Sequence, residues 1–304
     1  MRGRLVPGEQ HAQDLLAARP PGVPLRLPAC GPAAGPGRAA RGRRLPGELA
    51  ALAAIAQRDV LKLLRDRVRL AVNLAFPVLL IGGLGGVLQP LVGTATGLSA
   101  RTLAFTGVLA ATLFQSAAAG LISVAEDREN DFSRELFVTP VWRLTLVSGK
   151  IAGETLVSLA QGAFIVAFAV AFGVRIGPAQ LGLMLAAGVA CCLLGGAFGL
   201  ATVAALPNQR AAMQVFQFLI IPQYVLGGVL FPASGLPPYL AALSAAMPLR
   251  YAVGLLRAAY YAGTPGYQTA VTPSPVAAAA VTGVLLAVLL AAGAMIFDYR
   301  ERSR

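Results

Sequence analysis

The sequence predicts an all-α, polytopic membrane protein with six transmembrane helices, and three observations carry that prediction. Of 304 residues, 57% are hydrophobic and 12% charged, with a mean hydropathy of +0.70; soluble domains carry roughly a quarter charged residues. Six apolar stretches, at about 70–89, 103–124, 147–173, 181–206, 211–231 and 276–297, each approach the ~20 residues that cross a hydrocarbon core as helix. The cations are asymmetric: with the amino terminus inside, thirteen Lys and Arg from Arg58 to Arg304 share one side, against Arg101, Arg175, Arg250 and Arg257 on the other. Both termini are then cytoplasmic.

Residues 1–47 hold eight Pro, eight Gly and eight Arg without apolar periodicity. Such a segment buries too little to offset the entropy of ordering, so it reads as a disordered tail. A start codon assigned too early accounts for it equally well. It is not a secretory signal, because no continuous apolar core follows Arg2 and Arg4.

From Glu48 the pattern becomes helical. Leu49, Leu52, Ala53, Ala56, Val60, Leu63 and Leu64 share one face, and Arg58, Lys62, Arg65, Asp66 and Arg69 the other. This spacing predicts an amphipathic helix lying at the membrane interface, with the membrane domain running from 48 to 304.

Between the last two spans, Phe231-Pro232, Gly235, Pro237-Pro238, Pro248 and Pro265 cut an apolar stretch into pieces too short to cross. Two short helices dipping into the outer leaflet, a re-entrant hairpin, fit that punctuation. Gly82 with Gly86 and Gly195 with Gly199 stand at helix-packing spacing and predict close packing inside one bundle.

The inventory for catalysis is nearly empty. The single histidine, His11, lies in the tail, and no Asp or Glu occurs between Thr155 and Phe297, which removes carboxylate pairs and most metal sites from the membrane region. Gly149-Lys150-Ile151 lacks the upstream glycine and the following Ser or Thr of a phosphate-binding loop. The chain is therefore read as no enzyme, binding no cofactor and no metal of its own. Glu154, four residues after Lys150, is the sole carboxylate candidate for a proton relay, and an interfacial ion pair is the simpler reading. Cys30, Cys191 and Cys192 form no framework, and the basic residues lack the aromatic interleaving of a nucleic-acid platform.

The exception to this charge-poor chain is the cassette Glu126 to Pro140. It holds five of the thirteen carboxylates between two predicted spans, on the cytoplasmic side. A short helix there sets Phe132 and Leu136 together as an apolar knob. Glu126, Arg128, Glu129, Arg134 and Glu135 supply charges around it, and Pro140 disfavours helix beyond Thr139. An apolar anchor in a charged collar suits a groove on a cytosolic protein.

The run Glu126-Asp127-Arg128-Glu129, then Arg134-Glu135-Leu136, Val138-Thr139-Pro140-Val141 and Gly149-Lys150, resembles the coupling-helix region of type-2 ABC exporter permeases, and the daunorubicin-resistance type is most similar. A second block, Gly227-Gly228-Val229-Leu230-Phe231-Pro232 with Leu236-Pro237 and Pro248-Leu249-Arg250-Tyr251, is similar to the family's fifth helix and outer hairpin. The resemblance covers about residues 48–304. The chain departs from many relatives in lacking a glycine near Asn130-Asp131 and in having Met247-Pro248 where they have Asn-Pro.

The resemblance implies a permease of the bacterial inner membrane, two copies of which pair with two ATPase subunits that bind ATP and Mg. It implies outward movement of an amphipathic drug-like or lipid-linked molecule, a polysaccharide or lipo-oligosaccharide being the alternative cargo and an ion-coupled carrier the more distant one. Independently of the family, a helix over 248–262 sets Arg250, Gly254, Arg257 and Tyr261 on one face, a cationic stripe suited to an outer-leaflet anion or substrate. Headgroup anchoring is the plainer role for that stripe.

Overall fold

The computed structural model describes residues 74–87, 89–129, 143–206, 208–230 and 237–302. The tail 1–47, the amphipathic helix expected after it, and the cassette from Asn130 to Pro140 lie outside the described residues. Among the described residues ten helices follow in order: α1 (Leu74–Val87), α2 (Gln89–Thr96), α3 (Ala100–Glu129), α4 (Arg143–Ala171), α5 (Pro178–Ala205), α6 (Gln209–Leu226), α7 (Pro238–Ala245), α8 (Pro248–Tyr261), α9 (Tyr267–Ala270) and α10 (Pro275–Arg302). No strand occurs among the described residues.

Four segments among these residues are long and apolar enough to cross a membrane: Ala100–Ser123, Ile151–Ala171, Pro178–Ala205 and Tyr267–Gly293. They match the expected second, third, fourth and sixth spans within a few residues at most ends. The expected first and fifth spans differ. Helix α1 is shorter, and its centre, Leu79–Leu84, is π-helical across Gly82-Gly83, where paired glycines weaken the regular ladder. Helix α6 has 18 residues, about 27 Å of rise, and carries Gln209, Gln214, Gln217, Gln223 and an internal Pro222. Its glutamines lower the apolar character that the windows at its ends suggest. Between α6 and α10 the described residues form α7 and α8, bent 84° from each other, and the short α9.

Helix α3 is the centre of the bundle. Its apolar window is mostly buried, whereas that of the last span is mostly open. Leu103, Phe105, Val108, Phe114 and Ile122 of α3 are fully buried. Contacts give the directions of its neighbours. Leu113 meets Gly162, and Glu154 meets Gly120, so the paired numbers sum to a near-constant value and α4 runs antiparallel to α3. Phe114 meets Gly195 and Ala118 meets Gly199, a constant offset, so α5 runs parallel to α3.

The α3–α5 seam is where small residues matter most. A Cβ at Gly195 or Gly199 would run into the backbone of Phe114 or Ala118. Apolar side chains in lipid gain little by associating, so close backbone approach and dispersion hold such helices together. Gly195→Ala is expected to destabilise the fold by about 3 kcal/mol. Gly182→Ala, whose Cβ would meet nothing within 4 Å, should leave the melting temperature in detergent unchanged or slightly raised. Equal melting of the two variants would show that the seam does not set stability.

Helix α5 starts at Pro178, at a position where the missing N–H is harmless. Gly177 N–H donates to Gln180 Oε1 at 2.8 Å, half of a capping box. Helix α6 starts after Asn208, whose side chain accepts from Ala211 N–H at 2.8 Å.

Candidate functional site

The first part of the site lies where α3 ends and α4 begins. Because these helices pack antiparallel, the carboxyl end of α3 and the amino end of α4 lie at the same end of the pair. Glu126, Arg128 and Glu129 fall in the last turn of α3. Phe132, Arg134, Glu135 and Leu136 lie outside the described residues, as do the side chains of the first three. Within the span, Glu154 is buried with its carboxylate against Gly120 of α3. Ser158 and Gln161 follow it on the same face, also buried, and the Ser158 hydroxyl donates to the Glu154 carbonyl at 2.8 Å.

The opposite end is built around the carboxyl end of α6. Gly107 of α3 abuts the Val229 carbonyl, seven residues into α3 from Ala100, so α6 stops about 10 Å short of that helix end. Cys191 Sγ lies 3.5 Å from the Ala252 carbonyl, thirteen residues into α5, so the base of α8 sits about 20 Å below the start of α5. At its other end Tyr261 shares a 2.8 Å hydrogen bond with Thr102, and the Tyr260 hydroxyl donates to the Arg175 carbonyl at 3.3 Å. Helix α8 therefore runs from mid-bundle depth to the same surface from which α3 and α5 start.

A helix that ends inside a bundle leaves carbonyls without partners, which is expensive away from water. Here the Ser244 hydroxyl donates to the Leu226 carbonyl at 2.6 Å. Arg257 Nη2 donates to the Gly228 carbonyl at 2.6 Å and more weakly to that of Val229 at 3.3 Å. The cationic group also complements the negative end of the helix dipole. Gln223, buried, accepts from Leu249 N–H at 3.4 Å. Hairpin and helix end are thus one polar latch within an apolar bundle.

Arg250, Arg257 and Tyr261 do share α8, as the spacing predicts. Their exposures differ. Arg257 is 3% and Tyr261 5% exposed, whereas Arg250 is partly open, with Nη1 donating to Ser244 Oγ at 3.0 Å and Nε buried without a partner among the described residues. The sequence offers Arg257 a lipid headgroup or a substrate anion as counter-charge. The structure gives its guanidinium backbone carbonyls of its own chain. Proline punctuation marked the starts of α7 and α8, but nothing in the one-dimensional pattern pairs Arg257 with carbonyls 28 and 29 residues upstream.

Helix α6 has a second notable property. Ala212, Phe216, Ile220, Gln223 and Leu226 face inward, while Gln214, Val215, Gln217, Phe218, Ile221 and Val225 are exposed.

These features define a multi-pass helical membrane protein, with four apolar spans and a bent helix pair packed into one bundle among the described residues. The profile of the ABC-2 type transporter family matches residues 50–261, more than two thirds of the chain, and the protein belongs to that family. It is accordingly an ABC-type transport permease, whose family works with an ABC ATPase and carries no ATPase site in the membrane subunit. No curated protein matches the chain.

Proposed function

We propose that this chain is the permease of an ATP-driven exporter that moves an amphipathic drug-like or lipid-linked molecule out of a bacterial cytoplasm, along an interface between two copies. The observation that carries this reading is the exposed face of α6. Gln214 and Gln217 stand there among Phe218, Ile221 and Val225. Amide side chains are costly against lipid tails and common where helices meet or a passage is wet. A second copy seated on that face would bury the glutamines and form an amphipathic path.

In this reading two ATPase subunits hold ATP and Mg, and the segment 126–139 carries their closure into α3 and α4. Glu126, Arg128, Glu129, Arg134 and Glu135 orient it, and Phe132 with Leu136 grips. The amphipathic helix from Glu48 lies along the cytoplasmic leaflet, and both termini are cytoplasmic. Helices α7 and α8 dip into the outer leaflet and return, consistent with the depth of Ala252 beside Cys191 and the surface level of Tyr261. Arg250, the most open of the three α8 residues, meets an anionic group of the substrate, and Arg257 and Tyr261 hold the helix behind it.

In a Cys30→Ser background, Val225→Cys is expected to form a disulfide-linked dimer in membranes under mild oxidant. The native Cys191 and Cys192 are fully buried and do not compete. Absence of the dimer, with the thiol reactive to maleimide, would place α6 against lipid instead. Arg250→Gln is expected to lower export about fivefold, one charge-assisted contact, at unchanged abundance. Unchanged export would remove Arg250 from the substrate path.

A further inference from the structure

A groove of about 520 Å³ lies between α5, α8 and α10, within the size range of small-molecule sites. Its walls are apolar and mostly small: Leu183, Ala190 and Leu193 from α5, Ala258 from α8, Ala279 and Leu286 from α10. Leu183 to Leu193 is ten residues, about 15 Å of helix, or half of a hydrocarbon core of ~30 Å. The groove therefore has the depth of one leaflet, and it starts near the helix ends marked by Pro178 and Pro275.

One group in this lining is out of keeping. Thr282 is 5% exposed, and its Oγ1 has no hydrogen-bond partner among the described residues. Thr106, Thr112 and Thr202, the other buried threonines, each return the hydroxyl to the carbonyl four residues earlier. A buried hydroxyl without a partner is costly in an apolar setting. The Oγ1 is itself enclosed, so an acceptor carried by an occupant would satisfy it once the side chain turns to the other helical rotamer that threonine adopts. Thr282 is seven residues into α10, about 10 Å from Pro275, and a helix end at the outer edge of a headgroup zone roughly 6 Å thick sets it just below that zone. Ester carbonyls of a bilayer lipid sit near that level.

The rim supplies charge. Arg175 is exposed just before α5, and its carbonyl is held by the Tyr260 hydroxyl of α8, beside the lining residue Ala259. Between Thr155 and Phe297 there is no carboxylate to neutralise it. Gly283, on the groove wall, would direct a Cβ into space with nothing within 4 Å.

We propose that this groove is a binding site for one anionic phospholipid of the outer leaflet. One acyl chain lies along α5 and α10, an ester carbonyl accepts from Thr282, and the phosphate faces Arg175. The site is distinct from the α6 face, so it stands whether or not that face carries substrate.

The test uses the full chain in nanodiscs containing phosphatidylglycerol with a photoactivatable diazirine on one acyl chain. Labelling should concentrate on 183–193 and 275–286, above the exposed Val170 and Phe172 at the same end of α4. Gly283→Leu, whose Cβ meets nothing within 4 Å and whose side chain enters the groove, should lower it about tenfold. Thr282→Val, close to it in shape, should lower it about fivefold. Arg175→Gln should abolish the preference over phosphatidylcholine bearing the same probe. Labelling equal to that at Val170 and Phe172, or unchanged by Gly283→Leu, overturns the site. Equal labelling by a diazirine alkane without a headgroup overturns the phospholipid.

Discussion

Leu136→Asp is expected to reduce transport by at least about tenfold while the permease still inserts, folds and reaches normal abundance. Leu136 belongs to the sequence that joins α3 to α4, and in the proposed coupling role its side chain meets the ATPase rather than the packing that sets stability. A buried apolar anchor at a protein interface typically contributes about 2 kcal/mol or more, and a carboxylate in its place adds a desolvation penalty. The ATPase would then turn over with little effect on the permease, or fail to copurify with it. Glu129→Gln, at the rim of the same segment, should have a much smaller effect, because exposed charges contribute about 1 kcal/mol or less. Normal transport by Leu136→Asp would remove the cassette from energy coupling.

The second large effect is expected at Arg257. Its replacement by Leu leaves the Gly228 and Val229 carbonyls without their donor in the interior of the bundle. An unsatisfied buried acceptor costs roughly 1–3 kcal/mol, so a loss of about 3 kcal/mol is expected, seen as a lower melting temperature and lower abundance. Arg257→Gln keeps a shorter donor and should fall between Leu and the wild type. Arg175→Leu, at an exposed cation, should leave melting within the range of ordinary surface substitutions, about 0.5 kcal/mol. If Arg257→Leu melts like the parent, the latch at the end of α6 does not hold the hairpin.

The contrast between these two positions shows what the sequence could convey. Span-length apolar runs and the Pro178, Pro238, Pro248 and Pro275 starts are local signals, and the helices follow them closely. The Gly195 and Gly199 spacing also points correctly to close packing within one bundle, since the partner surface at Phe114 and Ala118 belongs to the same chain. Window hydropathy was less informative for α6, where isolated glutamines interrupt an otherwise apolar helix. A window average cannot tell whether such residues face lipid, protein or a passage. Burial of Arg257 was illegible for another reason. Its partners are backbone carbonyls, which every residue carries, so no residue type marks them. The unpartnered Thr282 hydroxyl is hidden in the same way, because it differs from Thr106 or Thr202 only in geometry.

In the proposed function this permease moves its substrate outward only when a separate ATPase drives it. The direct measurement is uptake of an amphipathic fluorescent substrate into inverted membrane vesicles containing the chain, with and without the copurifying ATPase, in the presence of Mg and ATP. Accumulation is predicted only when permease, ATPase and hydrolysable ATP are all present, and it should vanish with Leu136→Asp. Accumulation driven by a pH gradient in the absence of nucleotide and ATPase would contradict the account.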